Sequence, residues 1–145
     1  MNRKWMVMVV ALITISSLAS VAQAQSNLRL RVNVPFKFVA DNTAMQAGEY
    51  EISELRPSIL VLRNLDQRSA VVQRTGSSRP EKSLDGQAAL IFHRYGESYF
   101  LTQVVTETAD SAYQLETSGE EKQLAQSASP QLRVVRVGGD QASGK

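Results

Sequence analysis

His93 is the single histidine of this 145-residue chain, so any nucleophilic or acid–base chemistry would begin there. A catalytic triad needs a Ser or Thr and a carboxylate to converge on the imidazole, with donors for the oxyanion. No Gly-x-Ser-x-Gly elbow is present, and nothing selects one serine among many. Apolar and aromatic neighbours place His93 in a strand, where a hydrogen-bonded, partly buried structural histidine is the expected state. Glu49, Glu51 and Glu54 supply more than one carboxylate, the requirement for glycoside hydrolysis. Their spacing puts Glu49 and Glu51 on one strand face, opposite Tyr50 and Ile52, which is where a solvated face carries charge. A hydrolase is therefore the last-ranked reading, and no catalytic residue is assigned.

Metal and phosphate chemistry find little support. Zinc and other soft metals need several His or Cys ligands, and the chain has one His and no Cys. Calcium takes oxygen ligands, but Asp41-Asn42-Thr43 lacks the spaced acidic positions and closing Glu of an EF-hand and reads as a turn. Gly138-Gly139 sits in a tail rather than between a strand and a helix, so it is no phosphate loop. No cofactor is expected.

Two sets of residues suit recognition. Arg29, Arg31 and Lys37 form a basic stripe that could meet anionic polysaccharide or lipid head groups through charge and planar guanidinium geometry. The plainer account of the same stripe is the wet face of an edge strand. Tyr95, Tyr99 and Tyr113 could flank a pocket for a sugar or an apolar ligand, or simply pack on neighbouring strands. The candidate recognition surface is Arg29, Arg31, Lys37, Tyr95 and Tyr99.

The elements that must position these residues are mostly strands. Leu28, Leu30, Val32, Val34, Phe36 and Phe38 alternate with polar residues, the period of a long strand with one buried face. Pro35 cannot donate a ladder hydrogen bond and puts this strand at an edge or a bulge. Glu49 to Leu55 reads as a strand with Tyr50 and Ile52 inward. Ile59-Leu60-Val61-Leu62 is a continuous apolar run, expected to be central and covered on both faces. Ala70 to Thr75 returns as a strand, and Gly76 to Gln87 reads as a long polar loop. Ala88–Tyr95 and Tyr99–Thr106 form a hairpin about a Gly96-Glu97 type II′ turn, a register that sets Phe92 opposite Leu101 and His93 opposite Phe100.

After Ala109 the β pattern fades. Ser118 with Glu121 predicts a capping box opening a short helix to about Gln126, and Leu132 to Val137 predicts a last strand. The hairpins at 59–75 and 89–106 are loosely alike, as members of one meander are; two weak copies make no repeat protein. The fold expected is all-β: a small antiparallel sandwich or barrel of about seven strands with one short C-terminal helix.

The N-terminus carries an address. Arg3 and Lys4 precede a 13-residue, largely apolar run from Met6 to Leu18, and Ala22-Gln23-Ala24 offers small residues at the cleavage positions. This is the layout of a secretory signal peptide over residues 1–24, and the run is shorter than the roughly 20 residues a spanning helix needs. Cleavage leaves a single β domain over 25–137 and a flexible tail over 138–145. Removing Arg3 and Lys4 from 16 basic residues leaves 14 against 14 acidic ones, so the exported chain is formally neutral. The sequence pI of 9.1 belongs to the precursor and makes no case for nucleic acid. Without cysteine there is no disulfide framework and no lipid-anchoring thiol.

Four landmarks together resemble small exported β proteins associated with Acidobacteria: Val32-Asn33-Val34-Pro35-Phe36-Lys37-Phe38, Ala47-Gly48-Glu49-Tyr50, Leu62-Arg63-Asn64, and Phe92-His93-Arg94-Tyr95-Gly96 with Tyr99-Phe100-Leu101. Members of this type often carry an acidic residue at the position of Lys37 and Leu-Pro at Met45-Gln46. The resemblance implies an exported β domain and brings no established activity.

The function expected is that of an exported, periplasmic or extracellular module, non-enzymatic, acting by binding or as a structural part of the envelope. Its partners would be envelope polysaccharide, lipid or another envelope protein. The alternative is a small-ligand carrier with an apolar barrel cavity. An outer-membrane pore is disfavoured because strands 59–62 and 89–92 are apolar on both faces and too few strands reach about ten residues.

Overall fold

The computed structural model describes residues 28–108 and 111–137; the predicted leader and the 138–145 tail lie outside the described residues. The elements are β1 (Arg29–Val34), β2 (Phe38–Ala40), β3 (Thr43–Met45), β4 (Gly48–Arg56), β5 (Ile59–Asn64), β6 (Ser69–Ser78), β7 (Ala89–Tyr95), β8 (Ser98–Val105), β9 (Ala112–Leu115), α1 (Gly119–Leu124) and β10 (Gln131–Arg136). Among the described residues the chain is all-β with one short C-terminal helix. Ten strands rather than about seven form one sheet, which runs β1-β4-β5-β6-β9-β8-β2-β3 with β7 and β10 branching from β8. It is not closed into a barrel. All pairings are antiparallel except β2 with β8, which is parallel.

Strand β6 explains the layering. Its first part, to Arg74, pairs with β5, and its last part, from Thr75, pairs with β9. One strand thus carries the sheet from a first layer (β1, β4, β5) into a second (β9, β8, β7, β10). Inward residues of the two layers meet in one core: Val32, Val34, Tyr50, Ile52, Leu60 and Leu62 from the first, Leu90, Phe92, Leu101, Val104 and Val135 from the second.

The alternation from Leu28 to Phe38 spans two strands, not one. Proline at position 35 supplies no ladder donor, so β1 stops at Val34 and the chain crosses to the second layer before β2 begins at Phe38. Both halves face the same core, which is why the period survives the break. Ile59–Leu62 is central, between β4 and β6, but only Leu60 and Leu62 are buried; Ile59 and Val61 look outward and are half-exposed. Residues Gly76–Ser78 extend β6 into what the composition reads as loop. Strand β9 was hidden by its length of four residues.

The landmark segments meet one another in space. Phe36 stacks on Tyr99 at 3.9 Å and meets Phe92 edge-on at 5.1 Å. Phe38 lies edge-on to both Tyr50 and Phe92 at 5.3 Å. Tyr50 and Asn64 hydrogen bond at 3.0 Å. These residues are packing partners, which accounts for their types without invoking chemistry.

Candidate functional site

On the second layer's outer face, His93 is the centre of the most polar cluster. It stands on β7 opposite Phe100, the register expected from the Gly96-Glu97 turn, with Gly96 at φ +60°. Nδ1 is 2.6 Å from Glu121 Oε1, and Nε2 is 2.9 Å from Glu81 Oε2. Glu121 comes from α1, whose start is fixed twice: Ser118 Oγ accepts from the Glu121 amide, and Asn42 Oδ1 accepts from the Gly119 amide. The predicted cap is therefore present, but the Glu121 carboxylate turns to His93, and the helix ends at Leu124 rather than near Gln126. Glu81 comes from the loop over β7 and β8, whose Leu84 covers Ile91 and Val105.

Two carboxylates raise the His93 pKa to about 9; the Glu121 hydrogen bond is the larger cause, opposed by burial and aided by Glu81. At neutral pH the ring is an imidazolium donating through both nitrogens. In that state it has no lone pair to accept a proton or bind a metal. Tyr95, buried beside Phe100, has its pKa raised by burial and by the Glu121 carboxylate. The cluster joins a strand, a loop and a helix. It works as a clamp.

The recognition candidates do not gather in one place. Arg29 and Arg31 project from β1 on the outer face of the first layer, whereas Lys37 lies beyond the break at Pro35. Tyr95 belongs to the His93 side of the second layer. Tyr99 is half-buried under Arg94, whose guanidinium carbon is 5.4 Å from the ring centroid. Tyr113 donates to Glu54 Oε2 at 3.0 Å, and its pKa is pushed up to about 12 by burial and that carboxylate. It lines an open cleft of about 330 Å³ with Glu54, Ser58, Ser77 and Thr106, while Tyr95 lines another of about 510 Å³ with Arg94 and Leu124. Neither cleft is lined by more than one of the three tyrosines.

What the pairing does assemble is an arginine-rich face on β1-β4-β5-β6. Arg31, Glu51, Arg63 and Ala70 stand side by side in one cross-strand row. Arg29, Ser53, Val61 and Val72 form the next row, and Arg56, Ile59 and Arg74 the one after. A bulge at Leu55 separates Glu54 from Arg56 and keeps Arg56 outward. Glu51 is 3.9 Å from both Arg31 and Arg63. Arg29, Arg56 and Arg74 make no ion pair among the described residues. No protein-family model, curated protein or solved structure matches this chain. Sequence reading found Arg29 and Arg31 but missed Arg56, Arg63 and Arg74; the outward parity of β5 and β6 was the available signal.

Among the described residues, no three His, Cys, Asp or Glu side chains are arranged to hold a metal ion. No helix there is long and apolar enough to cross a membrane.

Proposed function

We propose that this chain is an exported, non-enzymatic β module that works by binding, with the outer face of β1-β4-β5-β6 as its recognition surface. One observation carries the reading: five arginines share that face with two carboxylates, Glu51 in their rows and the exposed Glu49 in the row beyond. The register sets no arginine directly opposite another, so the face spreads its positive charge over four strands, which suits a ligand of opposite charge. The interior supports an exterior ligand, because large side chains such as Tyr50, Phe92 and Leu60 are buried between the layers. The charge state of His93 supports a non-enzymatic role, since its clamp leaves no free base.

Expression with the leader in a bacterial host should place the product in the exported fraction with Gln25 first. That mature protein should be retained on envelope material, and Arg29→Glu with Arg74→Glu should abolish retention. Cytosolic product, or retention indifferent to both reversals, defeats the reading.

A further inference from the structure

Resting on that reading, we propose that the ligand of this face is the anionic surface of a lipid bilayer. The face carries apolar and basic groups in a set order. Val61 and Val72 close its middle row on β5 and β6, with Ile59 in the next row and Leu55 at the bulge of β4. Val72 and Leu55 are each 60 % exposed, the most exposed large apolar side chains among the described residues. Arg29 and Arg31 border them along β1, and Arg56 and Arg74 border them at the end of the β5 rows.

Neighbouring strands lie about 4.8 Å apart, so the arginines of β1 and β6 sit roughly 14 Å from each other across a gently pleated plane. That spacing lets each guanidinium reach a separate head group while Val61, between them on β5, and Val72, two residues from Arg74 on β6, enter the interface. Arginine stems lie along apolar surface with the charge directed outward, which suits the boundary between acyl chains and phosphates.

Other occupants fit less well. A sugar polymer is gripped through aromatic faces and neutral polar groups. This face has no aromatic side chain in its rows, and Ser53 is its neutral polar residue. A protein partner anchors large side chains in pockets, and no residue of these rows lines either cleft described above. A membrane asks for neither. It needs a plane, positive charge and apolar tips.

The test is sedimentation of the mature protein with vesicles of phosphatidylcholine alone and of phosphatidylcholine mixed with phosphatidylglycerol. Binding is expected only to the mixed vesicles and should weaken as salt rises. Neutralising Arg29 or Arg74 should lower the partition coefficient about five-fold each. Val72→Ser should lower it as well, which a purely electrostatic contact would not show, and Arg133→Glu on β10 should leave it unchanged. Circular dichroism of each variant confirms that the fold is intact. Equal binding to neutral vesicles, absent binding, or indifference to Arg29 and Arg74 would overturn the proposal. Arginine-dependent retention on lipid-extracted envelope polymer, with no vesicle binding, overturns the lipid assignment and keeps the face as the binding surface. Loss of arginine dependence on both materials overturns both.

Discussion

Glu121 Oε1 lies 2.6 Å from His93 Nδ1, joining a carboxylate that is 4 % exposed to an imidazole on the neighbouring strand. With Glu81 on the other nitrogen, one ring fastens a helix and a long loop to the same strand, β7. The consequence is a stability that depends on the protonation of one residue.

Folding raises the His93 pKa from 6.5 to about 9, so the folded state holds its proton more tightly than the unfolded chain. Below pH 6.5 the ring is charged in both states and the clamp contributes in full. As pH rises toward 9 the unfolded ring loses its proton first and the contribution shrinks; above 9 it is gone. The linkage is worth at most about 3 kcal/mol. Thermal unfolding from pH 6 to 10 should show Tm falling through this window, and His93→Ala should flatten the profile. With one histidine in the chain, an NMR titration reads the midpoint directly. A midpoint near 6.5 would contradict the clamp.

Glu121→Gln keeps a hydrogen-bonding group but removes the charge. The His93 midpoint should move down toward its ordinary value, and stability should drop by about 1–3 kcal/mol. A helix of six residues cannot persist on its own, so α1 should loosen with it. Trypsin cleavage after Lys122 should then outpace global unfolding. Unchanged cleavage would mean that α1 is held by Ser118 and Asn42 alone.

Local rules made much of this fold legible. A two-residue turn with glycine first fixes its hairpin register, so the pairing of His93 with Phe100 followed from Gly96-Glu97. Ser118 announced the helix start because a serine three residues before Glu121 can accept from an amide of the first turn, as it does. The clamp itself was not legible, because Glu81 and Glu121 reach His93 across separations of 12 and 28 residues through loop geometry. Parallel pairing of β2 with β8 was equally hidden, since it arises from the crossing at Pro35 rather than from any local period. The arginine face was half visible. Arg29 and Arg31 share a strand, but adding Arg63 and Arg74 required knowing which strands are neighbours.

Gly48 is required by close approach. A Cβ built there would stand 2.5 Å from Asp66 Oδ2, the atom that accepts from the Glu49 amide, and the backbone has φ +152°. Gly48→Ala should cost about 1–3 kcal/mol, measured by urea unfolding. Gly76→Ala is the contrast: nothing lies within 4 Å and its φ is ordinary. It should be neutral or slightly stabilising. Equal effects at the two sites would refute the close-approach argument.

Gln103 shows how one buried amide can set a loop. Nearly inaccessible, it faces Gln114 across the β8–β9 pair. Its Nε2 lies within 3.0 Å of Ser78 Oγ, Arg79 O and Gln114 Oε1, and its Oε1 accepts from the Glu81 amide at 2.8 Å. The end of β6 and the first residues of the loop are thus tied to β8 through one side chain. Glu81 is delivered to His93 by that tie. Gln103→Leu matches the volume but strands the Glu81 amide and the Arg79 carbonyl, at about 1–3 kcal/mol. It should also lower the His93 midpoint, because Glu81 is no longer held in place. Hydrogen exchange at the Glu81 amide and the histidine titration measure the two effects separately. A destabilised variant whose His93 midpoint stays near 9 would show that the loop reaches the clamp without Gln103.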